Sequence, residues 1–174
     1  TPSPTVTYSF SGATTGSGSG TGSGETFNKG LTTVTINASN GCTPNAICTF
    51  TITVNDTENP VITCPATANL VADAGLCTSS GSIGTATGTD NCTAPTVSAS
   101  PAGPYPVGTT TVTWTATDGS GNIATCSQTV IVIDTENPVI TCPATANITT
   151  DAGLCNSSAS IGTPTISDNC SVSA

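Results

Sequence analysis

Short runs of this chain alternate apolar with hydroxylated residues. Residues 5–10 (Thr-Val-Thr-Tyr-Ser-Phe) follow period two, the signature of a half-buried strand. Residues 29–36 and 107–114 both carry a glycine, Gly30 or Gly108, at the turn, and both continue as an alternating strand that ends at Ile36 or Trp114. A tight turn follows each, Asn40-Gly41 in one case and Asp118 to Asn122 in the other. A last apolar strand comes next, Thr49 to Val54 or Ser127 to Ile133. Each pair therefore predicts a hairpin. Gly12 to Gly24 is a Gly/Ser/Thr tract with nothing to offer a core, and it reads as a flexible loop or a surface ribbon. No segment shows a 3.6-residue apolar period, so the expectation is an all-β chain of antiparallel strands.

Those two hairpins belong to a larger repetition. Asp56 to Asn69 returns letter for letter at Asp134 to Asn147, an offset of 78 residues, and 29 of the 41 positions from 56 to 96 are identical to their partners without a gap. Tandem copies make the repeat the unit to interpret. About seven short strands per repeat suit an immunoglobulin-like β-sandwich, with repeats arranged end to end. The final strand of each runs directly into Asp-Thr-Glu-Asn-Pro, so Pro60 and Pro138 should stiffen the joint. In this phase residues 57–134 form one complete repeat. Residues 1–56, with a Gly/Ser insertion at 12–24, are the C-terminal part of a first one. Residues 135–174 are the N-terminal part of the next, to be completed by residues 1–56 of a following copy through an Ala174-to-Thr1 junction. The expected partners are therefore copies of the same unit, head to tail.

Composition removes whole classes of function. The 174 residues hold no His, no Arg and one Lys, Lys29, against ten carboxylates, for a net charge of −9. Nucleic-acid binding needs phosphate-neutralising cations that are absent, and anionic membrane surfaces are excluded on the same ground. No run is long enough to insert in a bilayer. Without imidazole, and with an isolated Lys29, the chain has no general base or Schiff-base candidate, so no catalytic residues are assigned and no enzyme is expected. No cofactor is required. Paired carboxylates alone, without a pocket or aromatic platforms, do not suggest glycoside hydrolysis. Aromatics supply 3% of the chain. Such a thin core in a repeat of this size calls for crosslinks, and nine Cys, eight of them on the 78-residue period, fit disulfides in an oxidising, extracellular or cell-surface setting. Zinc is disfavoured by the absence of His and CxxC pairs. Trp114, whose counterpart is Ile36, reads as core rather than as a sugar platform.

Asn-Pro-Val-Ile-Thr-Cys-Pro, Thr-Asp-Asn-Cys, the run from Pro106 through Asp118 and Asn122 to Cys126, and the closing Thr-Val-Ile-Val resemble the HYR (hyalin repeat) domain in several motifs and in their order. The resemblance implies an immunoglobulin-like fold and an extracellular adhesion or structural role without catalysis. The Thr-rich, Lys-poor tandem style is similar to giant secreted surface adhesins of Bacteroidota. Within that fold the first and last strands run in parallel, which together with the resemblance supports a Cys64–Cys126 bridge. Cys77–Cys92 and, by periodicity, Cys155–Cys170 would follow. Cys48 and Cys142, the counterparts of Cys126 and Cys64, would pair between successive copies. A strand-swapped alternative, Cys64–Cys77 with Cys92–Cys126, stays open. Cys42 is left over, either free or bridged locally to Cys48.

Carboxylates gather where repeats meet. Asp56, Glu58, Asp90, Asp118 and Asn122 belong to one joint; Asp134, Glu136 and Asp168 belong to the next. Hard oxygen ligands at a joint would suit Ca2+, and the competing, stronger reading is Asx-turn capping of loop amides. Sequons, at Asn55 and Asn147 among others, leave glycosylation open. The expected function is the non-catalytic shaft of an extracellular filament or giant adhesin. The alternative is a module that recognises a glycan or a surface through the first-repeat loops.

Overall fold

A computed structural model describes residues 3–170; the Ala174-to-Thr1 junction lies outside them. The described residues form fourteen strands and no helix. The chain divides into two compact units. The first comprises Thr1–Val61, Gly88–Thr96 and Ala116–Ala124; the second comprises Ile62–Thr87, Val97–Thr115 and Thr125–Ala174.

In the first unit β1 (Thr5–Gly12), β2 (Gly16–Ser19), β3 (Gly30–Ser39) and β4 (Ala46–Val54) make one antiparallel sheet in the order β2-β1-β3-β4. The hairpin expected around Asn40-Gly41 is β3–β4, registered from Gly30 opposite Val54 to Ala38 opposite Ala46. The Gly/Ser tract is neither slack nor separate: Gly16–Ser19 adds itself to β1 as an edge ribbon, and the chain then folds back over a small aromatic cluster. Tyr8 and Phe10 stack with ring centroids 4.7 Å apart, Phe27 meets Phe10 at 5.0 Å, and Tyr8 Oη donates to Glu25 at 2.7 Å. Gly22 has to be glycine, because its φ is +74° and a Cβ there would lie 2.8 Å from the Phe10 ring. Buried Thr14 and Thr32 anchor the start of the insertion. The Thr14 amide donates to Thr32 Oγ1 at 3.1 Å, and the Asn28 amide donates to Thr14 Oγ1 at 2.8 Å.

Eight further strands make the central repeat: β5 (Val61–Thr63), β6 (Ala68–Val71), β7 (Thr78–Ser79), β8 (Thr87–Thr89), β9 (Thr96–Ser100), β10 (Tyr105–Pro106), β11 (Gly108–Thr117) and β12 (Ile123–Ile133). The main sheet runs β6-β12-β11-β9, and the short pairs β5–β8 and β7–β10 complete the sandwich-like arrangement. Strands β6 and β12 pair in parallel from Ala68 opposite Val130 to Val71 opposite Ile133, the first-beside-last arrangement expected of the fold. Alternation on β11 and β12 turns Val112, Trp114, Val130 and Val132 inward, where they meet Ala86 and Tyr105 beneath a rim including Ile62, Leu70, Ile83 and Val97. Each fully buried Val contributes about 1.5–3 kcal/mol. Trp114 is a core residue, as its Ile36 counterpart implied.

After the central repeat come β13 (Val139–Thr141) and β14 (Thr165–Ser167), an antiparallel pair. They are β5 and β8 shifted by one 78-residue period. The counterpart of β6, around Ala146 to Thr149, is not a strand. In the central repeat β6 exists through its parallel pairing to β12; strand geometry without a neighbour leaves backbone donors and acceptors unpaired.

Candidate functional site

Two loop clusters carry the carboxylates singled out above, one in each unit. In the first, each acid folds back on its own turn. Asp56 Oδ1 accepts the Glu58 amide at 3.2 Å. Asp90 Oδ2 accepts the amides of Cys92 and Thr93 at 2.9 and 3.2 Å. Asp118 Oδ1 accepts the amides of Ser120 and Asn122, both at 2.8 Å, while Asn122 Nδ2 donates to Asp118 Oδ2 at 2.8 Å and to the Asp56 carbonyl at 3.3 Å. Glu58 Oε2 accepts Asn91 Nδ2 at 2.7 Å. Lys29, the one cation of the chain, closes the cluster. Its Nζ lies 2.6 Å from Ser120 Oγ and 3.4 Å from Asp56 Oδ2, and the Ser120 hydroxyl also reaches Asp56 Oδ2 at 3.1 Å. The Asp56 side chain is only 3% exposed.

These contacts set the protonation equilibria. Burial by itself would raise the Asp56 carboxyl, but donation from the Glu58 amide, Ser120 and Lys29 overcomes it and holds the group below its ordinary value. Asp118 is likewise pushed up by burial and brought lower, on balance, by Asn122 and the turn amides. The Cys92 thiol is raised, first by local desolvation of the sulfur, although the residue as a whole is exposed, and then by the Asp56 carboxylate beside it.

The second cluster lies in the second unit and repeats the pattern one period on. Asp134 Oδ1 accepts the Glu136 amide at 3.0 Å, and Asp168 Oδ1 accepts the Cys170 amide at 2.9 Å. Here, however, a loop of the preceding repeat is in place. Glu136 Oε2 accepts the Gly75 amide at 2.8 Å, and Asn169 Nδ2 donates to the Leu76 carbonyl at 3.0 Å. Beside them Cys77 is bonded to Cys170, with Cα atoms 5.1 Å apart.

That bridge replaces two expected ones. Cys77 does not pair with Cys92, nor Cys155 with Cys170; Cys92 and Cys155 are free and exposed. The reason is local: the Asp90–Cys92 turn faces Asp56 in the first unit, whereas in the second unit Leu76–Cys77 lies against Asn169–Cys170. The Cys64–Cys126 bridge is present, with Cα atoms 5.9 Å apart beside the buried core, and this excludes the strand-swapped pairing. Cys48, Cys142 and Cys42 are free and exposed. Nothing in the spacing of the cysteines alone distinguished a bridge within a repeat from one across a joint.

As a metal site each cluster is meagre. Asp56, Asp90 and Cys92 bring one ligand atom apiece to within 4.8 Å of one another, as do Asp134, Asp168 and Cys170. Calcium takes six to eight oxygens. Two carboxylates with a sulfur fall short of that, Cys170 is spent in a disulfide, and the Lys29 ammonium already stands against Asp56. Asp118, Asn122, Glu58 and Glu136 hold loop amides and side chains instead. The donor set suits capped turns, not a calcium cage.

Sequence reasoning missed Gln128. It is 2% exposed on β12, where its Nε2 donates to the carbonyls of Ala66 and Ile83, both at 2.7 Å, and its Oε1 accepts Trp114 Nε1 at 2.9 Å. One side chain thus ties two loops to the sheet and satisfies the indole. A signal was available: 78 residues earlier, Trp114 and Gln128 are both replaced, by Ile36 and Phe50.

On the first unit the corresponding face is partly open, with Phe10 and Val34 buried, Ile36 and Ile52 half-buried and Phe50 exposed. Phe10, Phe27, Val34, Ile36, Phe50 and Ile52 line a groove of about 370 Å³. Val34, Ile36 and Ile52 stand at the positions that Val112, Trp114 and Val130 hold in the central core.

A sandwich-like all-β repeat braced by a disulfide, with carboxylate-capped turns at its ends, is the class of module the fold and site define. Residues 55–132 match the HYR domain family. Among solved structures it is similar to a "Protocadherin gammaB7 EC3-6 cis-dimer structure" at 16% identity and a TM-score of 0.37, covering 95% of this chain and 49% of that one. The chain thus spans about half the length of that neighbour. No curated protein matches it. No helix among the described residues is long and apolar enough to cross a membrane.

Proposed function

We propose that this chain is a non-catalytic structural repeat of an extracellular rod, the shaft of a filament or of a large surface adhesin, in which repeats follow one another head to tail. The observation that carries this reading is the repetition of one joint design at a 78-residue spacing: short links with Asx-capped turns, Asp56 to Pro60 and Asp134 to Pro138. Disulfides in so small a core support an oxidising compartment for this rod. Calcium is not needed for this reading. Residues 135–174 of one copy, with Val139, Ile140, Leu154 and Ile161 exposed, supply the apolar partners that the open groove of residues 3–56 lacks.

A second reading has one observation in its favour. The groove is concave, apolar and confined to the first repeat, as a receptor for a glycan or surface would require. Its lining favours the shaft, because Val34, Ile36 and Ile52 occupy core positions of the complete repeat. Negative-stain imaging of a polypeptide carrying several copies in tandem separates the two. Straight rods lengthening in proportion to copy number are expected; compact or randomly jointed particles would overturn the shaft. Retention on a glycan array, lost with Phe50→Ser, would favour the receptor.

A further inference from the structure

We infer that successive copies of this chain are stapled to one another by two disulfides, Cys48 to Cys142 and Cys92 to Cys155. This rests on the head-to-tail reading above and names its covalent chemistry.

The template lies within the chain. One 78-residue period after Cys64 stands Cys142 and one period before Cys126 stands Cys48; likewise Cys155 lies one period after Cys77 and Cys92 one period before Cys170, so each bridge has one equivalent cysteine on either side. These four are free and exposed, and together with Cys42 they make up all the free cysteines. One period therefore assigns every unpaired cysteine except the one outside the repeat pattern.

Both halves of the second staple are already shaped for it. In the bridged loop the Asp73 amide donates to the Thr78 carbonyl at 2.8 Å, the Leu76 amide to the Asp73 carbonyl at 2.8 Å, and the Ser80 amide to Asp73 Oδ2 at 2.9 Å. The loop bearing Cys155 repeats all three contacts, from Asp151 to Asn156, Leu154 to Asp151 and Ser158 to Asp151, at 2.8, 3.0 and 3.0 Å. On the other side, the turn bearing Cys92 is capped by Asp90 as the Cys170 turn is capped by Asp168. Two polar contacts should accompany the staple, copied from Glu136–Gly75 and Asn169–Leu76: Glu58 of one copy with the Gly153 amide of the other, and Asn91 with the Leu154 carbonyl.

The first staple has the matching apolar surface. Ile148 and Ile161 stand where Leu70 and Ile83 pack on the central core, and both are exposed. Against the half-buried Ile36 and Ile52 and the exposed Phe50 they would complete a sandwich as β6 and its neighbours do on β12, setting Cys142 beside Cys48. Each bridge forms when two thiols give up two protons and two electrons. The acceptor is an oxidant of the disulfide class, whose own sulfur–sulfur bond is reduced to two thiols.

The test uses the full chain prepared with natural and with 15N labelling. The two are mixed, reduced, and reoxidised with oxidised glutathione. Peptic digestion at low pH and mass spectrometry without reduction then read the linked peptides. Expected are Cys48–Cys142 and Cys92–Cys155 peptides joining light to heavy halves, a ladder of oligomers on non-reducing gels that collapses with dithiothreitol, and one titratable thiol per chain, at Cys42. Cys92 linked to Cys77 with Cys155 linked to Cys170, linkages confined to single-label species, or four remaining thiols besides Cys42 would each overturn the inference. Imaging the same sample separates it from the shaft reading. Rods without the linked peptides would sink the staples and leave the shaft, whereas linked peptides in compact clusters would do the reverse.

Discussion

At Asp134 to Cys170 the second unit holds a finished joint, in which the loop of the preceding repeat is present, Glu136 and Asn169 are engaged, and Cys77–Cys170 closes it covalently. At Asp56 to Cys92 the first unit holds the same residues, and among the described residues no such loop stands against them. Glu58 and Asn91 satisfy one another, Cys92 keeps its thiol against Asp56, and Lys29 with Ser120 supplies the closure. Identical letters thus produce different contacts according to whether the neighbouring loop is there. An Asn amide and a Glu carboxylate pair locally in one joint and reach across it in the other, so the joint sequence is a docking surface as well as a turn. The half-sandwich teaches the same lesson: β4 exposes Ile47 and Phe50, whereas β12, one period on, buries Gln128, Val130 and Val132.

The largest expected effect comes from removing what distinguishes the complete repeat. Replacing Cys64 and Cys126 together by Ala opens a loop spanning 62 residues and should lower stability by about 2–5 kcal/mol. Guanidinium titration of the central repeat reads it through Trp114 fluorescence. An unchanged midpoint would mean that the core holds without its brace, and the contrast with the unbridged sheet of β1 to β4 would lose its basis.

Gln128→Leu is next. It leaves the Ala66 and Ile83 carbonyls and the Trp114 indole without partners, which costs about 1–3 kcal/mol. The double change Trp114→Ile with Gln128→Phe copies the pair at Ile36 and Phe50 and removes the indole along with its acceptor. Urea titration should place it nearer the parent chain than Gln128→Leu alone; a cost equal to the sum of two independent losses would show that the substitutions are not a matched exchange.

The third change acts on the finished joint alone. Cys77→Ser with Cys170→Ser should leave the unfolding midpoint of the central repeat nearly where it was, while amide hydrogen exchange at Gly75 rises towards that of a loop. Exchange that stays slow there would assign the joint's order to Glu136 and Asn169 rather than to the bridge.

How much of this was legible follows from what each residue type can signal. Alternation marked β3, β4, β11 and β12 and their hairpins, because period two reports a buried face whatever covers it. The parallel pairing that puts Cys64 beside Cys126 followed from the fold itself. The Gly/Ser tract left a flexible loop and a surface ribbon equally open, since β2 is backbone pairing to β1 with no apolar side chain to announce it. The carboxylates were legible as turn residues, and Asp118 caps its hairpin as Asp in that position should. Cys77–Cys170 was hidden because periodicity constrains which cysteines are equivalent and says nothing of whether a bridge stays within its period. Gln128 was hidden because one polar letter in an apolar strand resembles a solvent-facing position until its two carbonyl partners are in place.

The smallest effect is acid loosening, and it falls on the Asp56–Cys92 cluster. Both Asp56 and Asp118 titrate below their ordinary value of 3.8 in the folded chain, so folding favours their ionised forms. Their contribution is therefore fully present above about pH 4 and is lost as pH falls through the folded values. The Cys77–Cys170 bridge of the other joint does not titrate. Lowering pH from 6 to about 3 should accordingly shift the amide resonances of Ser120 and Asn122, which donate to Asp118, with a midpoint below 3.8. The same shift should vanish in Asp118→Asn. A midpoint above 3.8 would mean that burial outweighs the turn amides, and Asp118 would then oppose the closure made by Lys29 and Ser120 instead of supporting it.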